Sequence, residues 1–323
     1  SRRGSSGAAP RRRWPQWTTT PLIKVNRTRS YGAEVVLHGS VYDESYQKAL
    51  EIAEERNMTF VHPFNDLAVA TGQGSIAMEI FKELPTVDII LVPIGGGGLA
   101  AGVSTLAKML NPNIKVIGVE PANAACMKAS LKAGKVVSLP SAVTIADGTA
   151  VKTPGDVVFP YIQKNLDDII TVEDEELIVN FLDVVENHKM VVENSGLLSV
   201  AALKHLNCKD KRVVSILSGG NMDIITMSSV VQHGLIERGR VFTVSVQLPD
   251  RPGELVNVAN VIAQLKGNVI RLEHNQFVSI NRNAAVELKI TLEAFGHEHK
   301  EQIVSALRDK GYDPKLENPT SLY

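Results

Sequence analysis

Four consecutive glycines, Gly95 to Gly98, constrain this chain more than any other feature of its sequence. They follow an apolar run, Ile89 to Val92, that is typical of a buried parallel strand, and they precede a helical pattern from Leu99 to Leu110. Without Cβ atoms, several backbone amides can converge on one small group, and the N-terminus of a helix favours negative charge. The sequence therefore predicts a site for a phosphate or another small anion.

The bulk composition limits the classes of protein to which the chain can belong. Its 323 residues suffice for two or three domains, and 44% hydrophobic residues allow a large core. Two cysteines do not form a disulfide framework, which favours a cytoplasmic location. The uncharged stretch from Ile89 to Val103 is too short and too broken to span a membrane. A net charge of −1 does not indicate nucleic-acid binding, so we expect neither a membrane nor a nucleic acid as partner.

The pattern of strands and helices predicts an α/β fold with a separate unit at its end. Alternating strands and helices up to about residue 240 favour a mostly parallel sheet covered on both faces. From residue 241 onward the order becomes βαββαβ, which is a ferredoxin-like unit. In the first part we predict strands at 33–38, 59–62, 89–92, 115–120, 168–172 and 211–217, and helices at 42–57, 71–84 with Thr71 as N-cap, 99–110 and 174–187.

Two interpretations of the glycine run follow from the residues themselves. Gly95, Gly97 and Ala100 fit the dinucleotide fingerprint, with Glu120 as a candidate ribose-binding acid at the end of the next strand. An NAD-dependent dehydrogenase is therefore one reading. The other is a single phosphate such as that of pyridoxal phosphate, because a second loop after a strand carries Ser218 and could meet a cofactor ring.

Several motifs in order resemble those of the threonine ammonia-lyases (threonine dehydratases), which are fold-type-II pyridoxal-phosphate enzymes related to serine racemase. The resemblance extends from Pro21 to the C-terminus. It is carried by Tyr31-Gly-Ala-Glu-Val-Val-Leu, Phe64-Asn-Asp, Gly72-Gln-Gly, Val92-Pro-Ile-Gly-Gly-Gly-Gly-Leu, Gly118-Val-Glu-Pro, Ile145-Ala-Asp-Gly-Thr-Ala-Val-Lys, Glu193-Asn-Ser-Gly and Leu217-Ser-Gly-Gly-Asn.

The resemblance implies a division of the chain into four parts. Residues 1–20 match nothing in the family and are expected to be a disordered extension. Residues 21–70 correspond to a remnant of the small domain, and residues 71–240 to the large cofactor-binding domain. Residues 241–323, which include Asp250-Arg-Pro-Gly-Glu-Leu255, resemble an ACT regulatory domain.

The resemblance also implies the cofactor, the reaction and the residues that bind. The amides of Gly95, Gly96, Gly97, Gly98 and Leu99 would hold the phosphate of pyridoxal 5′-phosphate. The Ser218 hydroxyl would bond the pyridine nitrogen. The implied reaction is dehydration of L-threonine, and less strongly of L-serine, with release of 2-oxobutanoate and ammonia, as in isoleucine biosynthesis.

A cation site is a further implication, with one departure from the family pattern. Glu120 and Ala124 match two positions that bind a cation in serine racemase and some relatives. The third position is an Asp in those proteins and Cys126 here. Because a hard divalent ion prefers oxygen ligands, this departure puts the metal site in doubt, and Glu120 could instead cap a strand end.

The lysine that carries the cofactor in this family has no counterpart in the sequence. The family places it in a Ser-x-Lys-x-Arg segment upstream of every motif quoted above, and its substrate-carboxylate loop of the type Ser-x-Gly-Asn-His is upstream as well. Neither occurs in residues 1–20, and Lys24 matches an ordinary position. We therefore expect an N-terminally truncated threonine ammonia-lyase that is inactive on its own, with its catalytic residues unassigned. A non-catalytic ligand sensor is a further alternative.

The C-terminal unit predicts allosteric control. Asp250, Pro252, Gly253, Glu254 and Leu255 form a loop that enters a helix, and such loops bind effectors in ACT domains. An amino acid or a nucleotide is the expected effector. Apolar surfaces of this unit further predict a homo-oligomer.

Overall fold

The computed structural model of the chain describes residues 13–16, 22–39, 42–276 and 286–317. None of the helices in these ranges is both long and apolar enough to cross a membrane. In chain order, the first part consists of β1 (Arg13–Gln16), α1 (Leu22–Ser30), β2 (Glu34–Leu37), α2 (Tyr42–Glu55), α3 (Leu67–Gln73), α4 (Ser75–Glu83), β3 (Ile89–Pro93), α5 (Gly98–Leu110), β4 (Lys115–Pro121), α6 (Cys126–Ala133), α7 (Phe159–Asn165), β5 (Asp168–Val172), α8 (Asp174–Asp183), α9 (Leu198–Ala201), β6 (Val213–Ser215) and α10 (Ile224–Glu237). The second part consists of β7 (Val241–Leu248), α11 (Glu254–Gln264), β8 (Asn268–Asn275), β9 (Val286–Glu293), α12 (His297–Asp309) and β10 (Lys315–Glu317).

A four-stranded parallel sheet in the order β5-β4-β3-β6 forms the centre of the first part. All five residues of β3 are buried. Ile90 and Val92 point into one core, which α4, α5 and α7 complete, whereas Ile89 and Leu91 point into a second core with α8, α9 and α10. Burial on both faces explains why this strand is uniformly apolar, and it confirms the predicted α/β class.

Two segments before α3 differ from the sequence prediction. Arg13–Gln16 pair in parallel with β2, although residues 1–20 were expected to be disordered. Backbone pairing along an open strand edge needs no apolar side chains, so composition did not reveal it. The predicted strand at 59–62 is wrong, because these residues belong to neither sheet nor helix. His62 instead accepts hydrogen bonds from the amides of Phe64 (3.2 Å) and Asn65 (2.8 Å) at Nδ1.

The predicted helix at 71–84 is divided into α3 and α4 at Gly74. Its N-cap is Asp66 rather than Thr71, since the Asp66 carboxylate accepts the amides of Ala68 and Val69. The predicted helix at 174–187 also differs from the structure. It is α-helical only to Asp183 and continues as a π-helical turn from Val184 to His188.

The second part is a four-stranded antiparallel sheet in the order β10-β7-β9-β8, with α11 and α12 packed on one face. Phe242, Val244, Val246 and Leu248 of β7 form the centre of this core. The succession of elements confirms the predicted βαββαβ order. The opposite face is polar, as the buried hydrogen bond between Thr243 and Thr291 illustrates (2.9 Å). Exposed apolar side chains of this sheet lie on its two edge strands, with Ile270 and Leu272 on β8 and Leu316 on β10.

Gly102 lies where α5 packs closely against the Ala70 backbone of α3. A Cβ atom there would lie 2.0 Å from the carbonyl oxygen of Ala70, which is backbone and cannot rotate away. We predict that Gly102→Ala lowers the free energy of unfolding by about 3 kcal/mol through overpacking. Gly72→Ala is the matched control, because its Cβ would meet nothing within 4 Å. It should stabilise α3 by about 0.5–1 kcal/mol. Chemical denaturation of the two variants checks both signs, and equal destabilisation would contradict the packing account.

Candidate active site

The glycine loop lies at the carboxyl end of β3, where the chain enters α5. Gly96, Gly97 and Gly98 are buried, yet within the described residues their amides donate no hydrogen bond. The amides of Gly95 and Leu99 are likewise without an acceptor there. Buried backbone donors are nearly always paired. A converging set of unpaired amides at the positive end of a 13-residue helix therefore fits an anion such as a phosphate group.

The conformation of the loop requires glycine. Gly97 has φ of +104°, and a Cβ atom on it would lie 2.7 Å from both Ile162 Cδ1 and Met127 Cε. A Cβ atom on Gly98 would lie 2.7 Å from the carbonyl oxygen of Phe64. The four glycines thus bring the amides together in a space that no larger residue could enter.

The second loop lies beside the first, as the sequence predicts. β6 pairs in parallel with β3, and the amide of Ile216 donates to the carbonyl of Leu91 at 3.1 Å. Ser218 therefore leaves the sheet next to the strand from which Gly95 leaves it, and adjacent strands are about 4.8 Å apart. The Ser218 hydroxyl is partly exposed and forms no hydrogen bond within the described residues. It is available to a ligand.

Residues 147–149 and 193–196 fill the space between the two loops. A Cβ atom on Gly95 would lie 3.0 Å from Thr149 Cα, and the Thr149 hydroxyl lies 3.5 Å from the Ser195 hydroxyl. The Glu193 carboxylate accepts the amide of Asn221 at 3.1 Å, and its own amide donates to the carbonyl of Gly219 at 3.3 Å. These contacts join the two loops into one polar site.

One buried polar atom in this region has no partner. Asn194 is 3% exposed, and its Nδ2 donates to the carbonyl of Ile145 at 3.0 Å. Among the residues that the structure describes, its Oδ1 is the one buried side-chain oxygen or nitrogen atom without a hydrogen bond. An orphaned oxygen next to Glu193 and Ser195 is consistent with a polar ligand or water in this region.

Phe64 covers the glycine loop from the N-terminal side. Its ring carbons would lie 2.1–2.3 Å from a Cβ atom on Gly96. The segment is fixed by Asn65, whose side chain donates to Asp156 at 2.7 Å and accepts the amide of Val157 at 2.9 Å. Desolvation lowers the pKa of His62, whose Nδ1 is occupied by two amides. A neutral imidazole therefore holds the Phe64 turn in place.

Glu120 does not serve the role that a dinucleotide site would give it. It is fully buried, and its two carboxylate oxygens accept the amides of Met127 and Lys128 at 2.8 Å each. The side chain thus fixes the N-terminus of α6 to the end of β4. Burial raises the pKa of Glu120 to about 7. A buried acid with both oxygens in use cannot reach a ribose, so this geometry disfavours the NAD alternative.

The metal site predicted at Glu120 and Ala124 stays a prediction. Ala124 lies in a short 3₁₀ turn directly before α6 and is buried. Cys126, at the third position, is also buried, and desolvation raises its thiol pKa to about 12. In the described part of the chain, no three His, Cys, Asp or Glu side chains come together as a metal site. The capping function of Glu120 explains its burial without a cation.

The predicted effector loop lies in the second part of the chain, between β7 and α11. Asp250, Pro252 and Gly253 are exposed, and α11 begins directly after them at Glu254. Gly253 has φ of +95°, and a Cβ atom there would meet nothing within 4 Å. Tyr312 donates to the Glu254 carboxylate at 3.3 Å. The loop is open surface in the single chain, and effector binding there stays a prediction.

Several residues of the site had no assigned function in the sequence analysis. Phe64, Thr149, Glu193 and Ser195 all belong to motifs that carry the family resemblance, but their contacts with the glycine loops depend on the fold. The signal that could have found them was their position in short Gly-, Ser- and Asn-containing segments between predicted elements, where binding residues concentrate.

Comparisons with known proteins agree with this geometry. Residues 15–219 match the family of pyridoxal-phosphate dependent enzymes. The chain is 39% identical to L-threonine ammonia-lyase of Thermotoga maritima over 92% of its length, and 43% identical to that of Geobacter sulfurreducens over 91%. It spans 74% of each relative. Threonine deaminase isoform 2 from Solanum lycopersicum is a structural neighbour, with a TM-score of 0.64 and 36% identity over 68% of this chain and 66% of that one.

The contact between Gly96 and Phe64 yields a first prediction for the site. Gly96 is outside the left-handed region, and the three heavy atoms nearest to its added Cβ all belong to the Phe64 ring, so Gly96→Ala should push this ring away from the loop. We expect it to weaken pyridoxal 5′-phosphate binding about tenfold or more. Phe64→Ala in the same chain should restore part of the affinity, because the Cβ atom then has space. Equilibrium dialysis of the single and double variants measures this coupling, and an unrelieved loss in the double variant would contradict it.

Glu120 yields a prediction about pH. Its pKa is about 7 when folded, against a reference of 4.5, so its protonated form stabilises the folded state. This contribution is complete below pH 4.5 and is lost as the pH rises through 7, with a magnitude of order 3 kcal/mol. Glu120→Gln should therefore flatten the decline in stability between pH 4.5 and 7. Denaturation of the unmodified chain and of the variant across this pH range, with a chelator present, measures the free energy of unfolding. Identical pH profiles for the two proteins would refute the assignment.

Proposed function

Because this chain belongs to the pyridoxal-phosphate-dependent enzymes and, among them, to the threonine ammonia-lyase family, we propose that its site binds pyridoxal 5′-phosphate and serves the deamination of L-threonine to 2-oxobutanoate and ammonia. The observation that carries the proposal is that the amides from Gly95 to Leu99, at the N-terminus of α5, have no acceptor among the residues that the structure describes. These amides can donate hydrogen bonds to a phosphate, so a cationic side chain is not needed to bind it.

Each residue of the site has a distinct part in this proposal. The amides of Gly95 to Leu99 bind the phosphate, and the helix dipole adds to the attraction. The Ser218 hydroxyl would donate a hydrogen bond to an unprotonated pyridine nitrogen, whereas a carboxylate would favour a pyridinium. When bound, the cofactor supplies an electron-accepting ring, which is a weaker electron sink with a neutral nitrogen. Such a ring would suit loss of the β-hydroxyl group of the substrate.

The surrounding side chains orient and enclose the ligand. Glu193 fixes the Ser218 turn through the amide of Asn221, and Thr149 and Ser195 offer hydroxyl groups beside the glycine loop. Phe64 covers the loop and keeps water from the buried amides. No residue is assigned to the covalent step. The expectation that a Ser-x-Lys-x-Arg lysine is required, and that the chain alone is inactive, stays a prediction.

The finer parts of the proposal concern substrate and control. L-threonine is the proposed substrate, with L-serine a weaker one. Asp250 to Leu255 is the proposed effector loop, because Gly253 leaves its backbone open to a small ligand. A homo-oligomer through the apolar edge of β8 remains a proposal as well.

Ser218→Ala tests the cofactor assignment. Loss of one hydrogen bond to the ring nitrogen should weaken pyridoxal 5′-phosphate binding about fivefold and change the absorbance of the bound cofactor. Ser215→Ala is the matched control, because the Ser215 hydroxyl donates to the carbonyl of Ser199 within the fold (3.3 Å). A titration with NADH in parallel tests the dehydrogenase alternative. Tight binding of NADH, together with unchanged pyridoxal 5′-phosphate binding by Ser218→Ala, would overturn the proposal. Release of 2-oxobutanoate from L-threonine is the separate test of turnover.

A further inference from the structure

His62 is a histidine to which the proposed reaction assigns no part, and it lies in the turn that covers the glycine loop. The turn connects the chain after α2 to the start of α3. The imidazole is half-buried, and its Nδ1 accepts the amides of Phe64 (3.2 Å) and Asn65 (2.8 Å). A ring nitrogen that accepts two N–H donors carries no proton of its own. His62 is therefore a neutral imidazole with its proton on Nε2.

Three aromatic rings pack around this imidazole. Phe64 meets it edge to face, with a centroid distance of 4.6 Å and an interplanar angle of 84°. Tyr46, from α2, lies at 5.6 Å and Phe60 at 6.1 Å, and these two rings contact each other at 5.4 Å. The rings attach the imidazole to α2 as well as to its own turn, so the position of Nδ1 does not depend on the two hydrogen bonds alone.

The turn that His62 holds lies directly against the glycine loop. A Cβ atom on Gly98 would lie 2.7 Å from the carbonyl oxygen of Phe64, and one on Gly96 would lie 2.1–2.3 Å from the Phe64 ring. Both glycines are buried, and Phe64 is among the residues that bury them. The two hydrogen bonds to His62 thus fix the backbone that shields two of the loop amides from water.

Two acids act electrostatically on the imidazole. Asp66 caps α3 with its carboxylate, and Asp156, in the segment before α7, accepts the side chain of Asn65 at 2.7 Å. This hydrogen bond lowers the pKa of Asp156. Both acids favour an imidazolium, but desolvation outweighs them and places the pKa of His62 below its ordinary value of 6.5. The net effect agrees with the hydrogen bonds at Nδ1, which require a neutral ring.

From this arrangement we propose that His62 is a positioning residue for the cofactor phosphate, because its neutral imidazole closes the Phe64 turn over the glycine loop and protonation of Nδ1 opens it. A protonated Nδ1 is a donor, so it cannot accept the amides of Phe64 and Asn65. Once the turn moves away, water reaches the loop amides and competes with the phosphate for them. The identity of the ligand rests on the proposed function, whereas the opening of the turn does not.

The direction of the pH dependence follows from the lowered pKa. The contribution of the closed turn is complete above pH 6.5 and is lost as the pH falls through the folded pKa of His62. Glu120, with a pKa of about 7, acts in the opposite direction because its protonated form stabilises the fold. The phosphate of the ligand also loses charge near a pH of about 6. Variants are therefore compared with each other at each pH, so that both of these effects cancel.

Three variants isolate the imidazole. His62→Asn puts an amide oxygen close to the position of Nδ1, so it keeps an acceptor that does not titrate. His62→Leu removes the acceptor at every pH. His274→Asn is the matched control, because His274 is exposed and lies on β8 in the second part of the chain.

Two measurements apply to each protein between about pH 4.5 and about pH 7.5. Hydrogen exchange without ligand gives the protection factors of the Phe64 and Asn65 amides, and equilibrium dialysis gives the affinity for pyridoxal 5′-phosphate. In the unmodified chain and in His274→Asn, protection should fall about tenfold at the acid end. His62→Asn should keep its protection, and at the acid end it should bind about tenfold more tightly than the unmodified chain. His62→Leu should lack the protection at every pH and bind about tenfold more weakly than the unmodified chain at neutral pH.

The proposal is overturned if His62→Asn loses protection over the same pH range as the unmodified chain. It is equally overturned if all the proteins bind pyridoxal 5′-phosphate with the same affinity at each pH. If His62→Leu does not fold, the comparison of His62→Asn with the unmodified chain still decides. Absence of pyridoxal 5′-phosphate binding by the unmodified chain at neutral pH would instead contradict the proposed function, and the protection factors, which need no ligand, would still test the opening of the turn.

Discussion

Buried backbone amides without acceptors are the constraint on which the site depends. Gly96, Gly97 and Gly98 are shielded from solvent, and their amides have no partner among the described residues. An unpaired buried donor costs about 1–3 kcal/mol, so such a loop is retained where a ligand recovers the cost. The parallel pairing of β3 with β6 then places Ser218 beside the loop. The phosphate and ring contacts that we propose thus both lie at one edge of the sheet.

Much of the fold could be predicted where sequence patterns are local and strong. An uninterrupted apolar run predicts the parallel strand β3, and the glycine run marks the start of α5. Hydrophobic periodicity predicts the βαββαβ order. The predicted strand at 59–62 failed because His62 forms side-chain hydrogen bonds with its own turn, which no periodicity reveals. The helix at 71–84 divides because Gly74 packs against α5, with Gly102 as its neighbour. That contact is tertiary and lies outside any local window.

The site could be predicted in its loops but not in its supports. A glycine run and a Ser-Gly-Gly-Asn turn can be recognised in the sequence. The contacts of Thr149, Glu193 and Phe64, in contrast, exist only once the chain has folded. Glu120 illustrates the limit, because its position after a strand suggested a ribose or a metal. In the fold its two oxygens accept the amides of the second and third residues of α6 instead. Burial and hydrogen bonding, rather than spacing, decide what an acid at a strand end does.

The most direct test of the central claim is amide hydrogen exchange in the peptide that contains Gly95 to Leu99. With pyridoxal 5′-phosphate bound, these amides should exchange much more slowly, because each gains an acceptor on the phosphate. Pyridoxal without its phosphate, and NADH, should leave them unprotected. Exchange that pyridoxal 5′-phosphate does not change, or that pyridoxal slows to the same degree, would contradict the assignment of this loop to the cofactor phosphate.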